Sequence, residues 1–153
     1  MPDGLLSSHH YCGVHRHLFQ DVYRWAGRFR SVRLGKSGNM FCYPENIRAS
    51  MRKLFSDLRR QNYLRELTAH DFATGAAHFL AELNAIHPFR EGNGRSQMTF
   101  VTLMAERAGH PFDLNRLKPK QFLTAMVLSF GGNEARLTGE LRSLMRPRTR
   151  DSR

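Results

Sequence analysis

The sequence predicts an all-α bundle that carries one small β-hairpin. Apolar residues recur at three- and four-residue steps through most of the chain, and prolines stand where helices can begin. The stretch from Arg28 to Tyr43 loses the helical period. Tyr11, Val14, Leu18, Val22 and Trp25 outline a first helix that Gly27 can end. In the aperiodic stretch, FRSVRL reads as a short strand, GKSGN as turn chemistry and MFCY as the returning strand. A second helix starts near Pro44 and carries Ile47, Met51, Leu54, Phe55 and Leu58 on one side. A third opens at Thr68, where Asp71 makes a shorter version of the capping box, and its buried stripe is Phe72, Ala76, Phe79, Leu80, Leu83 and Ile86. Pro88 stops that helix from running on through His87 to Gly92. Phe100, Leu103 and Met104 restart a period that stops near Gly109. Pro119 sits at a favourable first helical position, followed by Phe122, Leu123, Met126 and Val127, and Leu137 to Met145 is a short last helix.

The 153 residues are one domain's worth, and 41% apolar with 10% aromatic residues can bury a real core. Residues 1–146 are read as that domain and 147–153 as a disordered basic tail. No run approaches the roughly 18 apolar residues of a membrane span. The first ten residues, MPDGLLSSHH, lack the basic start and apolar stretch of a signal peptide. Cys12 and Cys42 make neither a disulfide framework nor a four-ligand zinc site, so a cytoplasmic location is expected and both read as small core residues. The eight histidines include His9 and His10, His15 and His17, and His70 and His78; none of these pairs has an established ligand spacing, and they read as surface or capping residues. Trp25, Met98, Met104 and Met126 read as packing. Charge is the one extreme: 24 Lys and Arg against 13 Asp and Glu give a formal +11. That surplus points to polyanions or an acidic protein partner, with a solubilising surface as the bland alternative. No helix-turn-helix signature or run of exposed aromatics accompanies it, so direct nucleic-acid binding is not expected.

The chemistry concentrates in His87-Pro88-Phe89-Arg90-Glu91-Gly92-Asn93-Gly94-Arg95, a polar, glycine-rich loop that runs into a helix amino terminus. Unpaired amides and the positive end of the helix dipole make such a terminus a phosphate site. Gly92 and Gly94 let the backbone approach an anion, Asn93 tolerates left-handed geometry and offers an amide donor, and Arg95 can fork onto phosphate oxygens. Glu91 is a hard oxygen ligand suited to magnesium beside substrate phosphates. His87, with an ordinary pKa of about 6.5, suits a general base. Together they suggest transfer of a phosphate-containing group to a hydroxyl. The alternative is a plain turn, with His87 a packing residue and Glu91 paired to an arginine.

HPFREGNGR resembles the signature of the Fic family, His-x-Phe-x-(Asp/Glu)-Gly-Asn-Gly-Arg-x-x-Arg. VHRHLFQDVYRWAG, GNMFCYPENI and FLAELNAIHPF also read like the corresponding parts of Fic domains, so the resemblance spans roughly residues 10–145. It implies a Fic-type helical bundle with the hairpin as a flap over the active site. It further implies transfer of AMP from ATP to a Ser, Thr or Tyr hydroxyl of a target protein. His87 would take the hydroxyl proton, Phe89 would anchor the loop, and Glu91 would hold Mg2+ on the α- and β-phosphates. Gly92, Asn93 and Gly94 would form the anion hole and Arg95 would contact phosphate. The flap would align the target by strand pairing, with Met40 and Phe41 gripping its side chain unless they are ordinary core residues.

Two departures matter. The family's second arginine falls at position 98, where this chain has Met98. In the family that arginine helps hold the terminal phosphates of ATP and pairs with an inhibitory glutamate. The inhibitory pattern (Ser/Thr)-x-x-x-Glu-(Gly/Asn) is found at neither end; Thr102 and Glu106 have its spacing, but Arg107 follows. The chain also starts close to its first core helix, as though the family's usual preceding segment were absent or cut away. Such a compact domain resembles the toxin of a toxin–antitoxin pair, in which a small antitoxin supplies the glutamate and type II topoisomerase subunits are known targets. The alternatives are a degenerate Fic domain that binds nucleotide or an acidic partner with little transfer, and a Fic enzyme using a different donor. The intact glycine-asparagine-glycine segment favours AMP transfer.

Overall fold

A computed structural model describes residues 4–36 and 38–147. Residues 148–153 of the expected tail lie outside them. Ser7 caps the first helix, α1 (Ser8–Phe19), by accepting the His10 amide. A two-stranded hairpin follows: β1 (Gly35–Lys36) pairs antiparallel with β2 (Asn39–Met40), in the register Gly35 to Met40 and Lys36 to Asn39. The helix α2 (Pro44–Arg60) starts on its proline. A left-handed turn at Asn62–Leu64 leads to α3 (Ala69–Ile86), whose cap Thr68 accepts the Asp71 amide at 3.1 Å, the predicted start. Three more helices follow, α4 (Asn93–Arg107), α5 (Pro119–Phe130) and α6 (Ala135–Leu144).

The helix α3 is the axis of the bundle. It buries residues around most of its circumference, including Phe72, Ala76, Phe79, Leu80, Leu83 and Ile86. Ala73, Ala76, Ala77 and Ala81 keep its surface low enough for α2, α4, α5 and α6 to pack against it. An aromatic cluster forms where α1, α2, α3 and α4 meet: Tyr11 lies 5.3 Å from Phe100 and 6.0 Å from Phe55, and Phe55 stands edge-on to Phe79 at 5.5 Å. Each large side chain fully buried there contributes about 1.5–3 kcal/mol. Phe89, from the loop between α3 and α4, is wholly buried in the same cluster. Among the described residues, no helix is long and apolar enough to cross a membrane.

Three expectations are corrected. First, α1 ends at Phe19, well before Gly27. Val22 is 68% exposed, and Trp25 stacks on Tyr23 at 4.4 Å instead of extending a helical stripe. The chain turns there so that the Gly27 amide can reach His15. Second, the strands of the hairpin are two residues each. Its first flank is held by the buried Arg30 rather than by a ladder, so FRSVRL is mostly not strand. Third, α5 turns Ala125 and Met126 inward and leaves Leu123 and Val127 59% and 60% exposed. Apolar residues occur around all of α5, so its period could not select the inner face.

Candidate active site

The loop from His87 to Gly92 is closed by bonds to itself. Pro88 cannot continue α3, and His87 takes up a left-handed conformation (φ 50°) as its carboxyl-terminal cap, with its amide donating to Leu83 O at 2.9 Å. Phe89 then drops into the aromatic cluster. Its backbone is satisfied by one side chain: the Phe89 amide donates to Asn93 Oδ1 at 3.0 Å, and Asn93 Nδ2 donates to Phe89 O at 2.7 Å. Asn93 is buried, so its side-chain amide is not the free donor the sequence suggested; only its backbone amide faces the amino terminus of α4.

Gly92 caps α4 without a side-chain bond, and the first intrahelical bond is Ser96 N–H to Gly92 O at 3.0 Å. The amides of Asn93, Gly94 and Arg95 thus precede the ladder and form an uncapped, positive helix end. Gly92 is required twice over. Its φ is +81°, and a Cβ there would stand 2.4 Å from the Phe19 ring. Phe19 also underlies Arg95, whose guanidinium carbon lies 5.2 Å from the ring centroid, while the side chain stays exposed at the helix end.

His15 clamps the loop from below, and sequence spacing gave no sign of this. It is fully buried and stacks on Phe89 at 3.7 Å. The Gly27 amide donates to its Nδ1 at 2.9 Å, so the ring proton sits on Nε2, which donates to Glu91 O at 2.9 Å. Burial lowers its pKa, against the Glu91 carbonyl bond that raises it, and the ring is neutral. The clamp leaves the Glu91 carboxylate exposed beside the helix end. Tyr23 O–H donates to Glu91 Oε2 at 3.0 Å, a bond that raises the tyrosine pKa and keeps the phenol a donor. Among the described residues no arginine pairs with Glu91, contrary to the plain-turn alternative. No group of three His, Cys, Asp or Glu side chains there could cage a metal. A lone, exposed carboxylate beside an uncapped helix end fits magnesium held jointly by one protein oxygen and substrate phosphates.

His87 faces the flap. Its ring lies parallel to Phe41 at 3.8 Å and 5°, and Phe41 in turn stands edge-on to Phe130 of α5 at 5.5 Å. Its Nδ1 is buried without a hydrogen bond of good geometry, although the Asn84 backbone lies close enough to favour the protonated ring. Burial outweighs that help and, with the cations Arg30 and Lys36 adding to it, pushes the pKa from 6.5 to about 4. His87 therefore enters neutral pH as a free base. Met40, on β2, is 51% exposed, so it is not the core residue of the alternative reading. Met98 lies on α4 and packs partly buried against the core. Cys12 is an inert neighbour, its thiol pushed up to about 11 by burial.

A helical bundle with an uncapped helix end, an exposed carboxylate beside it and a neutral histidine under a short strand pair defines the class of this protein: an all-α domain whose polar loop links two core helices. The comparisons then identify it more closely. The Fic/DOC family model matches residues 5–105, and the chain belongs to that family. It is 49% identical over 146 residues to the probable protein adenylyltransferase y4lH of Sinorhizobium fredii, covering 95% of this chain and 76% of that one. It is 36% identical over 129 residues to the protein adenylyltransferase VbhT of Bartonella schoenbuchensis, covering 84% of this chain and 27% of that protein. The crystal structure of BepC from Bartonella tribocorum, with bound AMPPNP, superposes with a TM-score of 0.85 at 23% identity, covering 97% of this chain and 78% of that one; it shares the fold.

Proposed function

We propose that this chain is a protein adenylyltransferase that moves AMP from ATP to a hydroxyl side chain of a target protein. The observation that carries the reading is the uncapped end of α4 on a self-bonded loop, with the neutral His87 at the loop's other end. The names of the relatives support it. The backbone amides of Asn93, Gly94 and Arg95 bind the phosphates and meet the charge that develops on them, and the Arg95 fork adds a contact from its exposed position. His87 accepts the hydroxyl proton as the target oxygen bonds to the α-phosphorus and pyrophosphate leaves. Glu91, steadied by Tyr23, is the residue that would hold Mg2+. That ion supplies charge neutralisation of the phosphates when bound.

The flap offers unpaired backbone beside β1 and β2 for an extended segment of the target, and Met40 and Phe41 lie next to that edge. Met98 removes one phosphate contact of the family pattern and the usual partner of an inhibitory glutamate, so this chain holds the terminal phosphates loosely. The finer reading is a cytoplasmic toxin restrained by a small antitoxin, acting on an essential enzyme such as a type II topoisomerase subunit.

Transfer of label from ATP into bacterial lysate proteins tests the reading, with α- and γ-labelled ATP run side by side in magnesium. His87-dependent α-label in a discrete band is expected, lost by at least about 10²–10⁴-fold in His87→Ala. Met98→Arg should increase labelling. The same α- and γ-label incorporation, or label that survives His87→Ala, overturns it.

A further inference from the structure

We infer that Arg30 is the positioning residue of this site: its guanidinium fixes the flap and the His87 loop as one unit. The inference rests on the adenylyltransferase reading for its consequence, but its geometry stands apart from it. Arg30 is 4% exposed, and no carboxylate pairs with it among the described residues. Its charge is instead spread over four backbone carbonyls. Nε donates to His87 O at 2.7 Å, and Nη2 to Ile86 O at 3.1 Å and Cys42 O at 2.6 Å. Nη1 donates to Val32 O at 2.7 Å.

These acceptors fall into two sets. Ile86 and His87 are the last residues of α3 and its left-handed cap, where unpaired carbonyls and the negative end of the helix dipole favour a cation. Val32 and Cys42 flank the hairpin on its two sides, before β1 and after β2. One planar fork therefore ties both feet of the flap to the residue that bears the base. Two backbone bonds repeat the connection: Arg30 N–H to Pro88 O at 2.9 Å and Cys42 N–H to Ala85 O at 3.0 Å. With β1 and β2 only two residues long, the hairpin's own ladder cannot set its height over the site. Arg30 sets it, and with it the stacking of Phe41 on His87. A lysine would keep the charge but could not reach four acceptors in one plane.

The whole chain is compared with Arg30→Lys and Arg30→Gln by amide hydrogen exchange, magnesium-ATP binding and label transfer. In both variants the Phe41 and Cys42 amides are expected to exchange at least tenfold faster, while Val101 and Met104 in α4 stay within twofold of wild type. ATP affinity should stay within threefold, and label transfer should fall at least tenfold. Arg30→Lys leaves a cation beside His87 and Arg30→Gln does not, so equal losses in both assign the effect to the fork. Flap amides that keep the wild-type rate, or that quicken only in step with those of α4, overturn the inference. If neither variant folds, the wild-type chain decides: the Arg30 Nε proton should remain visible by NMR at pH 8, and its loss to solvent exchange overturns the inference. A wild-type chain that transfers no label removes the adenylyltransferase reading while leaving the exchange comparison intact.

Discussion

The motif loop and the flap face each other across His87, yet they are built in opposite ways. The loop spends its polar groups inward: Asn93 closes both backbone groups of Phe89, His15 closes Glu91 O and Gly27 N–H, and Phe89 is sunk in the aromatic cluster. The flap has two paired positions, an exposed Met40 and anchors at its feet. On the proposed function, the difference puts rigidity where charge is met by fixed dipoles, and compliance where a target polypeptide is accommodated.

Substitutions should expose that contrast. The largest loss of stability is expected from Gly92→Ala, which forces a Cβ into the Phe19 ring and a side chain into a left-handed backbone. Thermal or denaturant unfolding should record a cost of about 2–5 kcal/mol, and phosphate affinity should fall with it. Asn93→Ala comes next. It leaves a buried amide and carbonyl of Phe89 unpaired, a loss of about 2–4 kcal/mol by denaturant titration. If either variant is as stable as wild type, the loop is not the rigid partner.

A pH series sharpens the comparison further. The unfolded chain protonates His87 near 6.5, whereas the folded chain does so only near 4. The folded state thus binds fewer protons between those values. The contribution of this residue is complete above about pH 6.5 and is lost as pH falls towards 4, on the order of 3 kcal/mol in all. NMR titration of the His87 ring checks the lowered value, and an ordinary midpoint would show a ring open to water. The smallest change in stability belongs to the flap: Met40→Ala should stay within about 0.5 kcal/mol while label transfer to the target weakens severalfold.

The helices were legible where local chemistry marks them. Pro44 and Pro119 open α2 and α5, and Thr68 caps α3 through the Asp71 amide. The loop of the candidate site was legible too, because its polar residues are contiguous and Pro88 marks the break between α3 and α4. What escaped depends on partners far away in sequence. Arg30 reads as one arginine among many until its guanidinium meets His87 O, and His15 reads as one histidine of a spaced pair until its ring meets Phe89. Val22 and Trp25 kept the helical period beyond the end of α1, since spacing alone does not say where a chain turns to satisfy a buried ring nitrogen. The side-chain role of Asn93 was misread for a related reason: a polar residue at a loop end can serve a ligand or its own backbone, and only burial distinguishes them.

If the flap pairs with a target segment as proposed, its two-rung ladder bears on how a target could escape this protein. Backbone pairing carries little information about side chains, so replacing residues around the modified hydroxyl would disturb it only slightly. Resistance would come more readily from a change of shape, such as a shortened loop, a proline that removes a pairing amide, or a helix where an extended segment had been. Target range would then follow the architecture of the recipient surface, and drift in its composition would count for little.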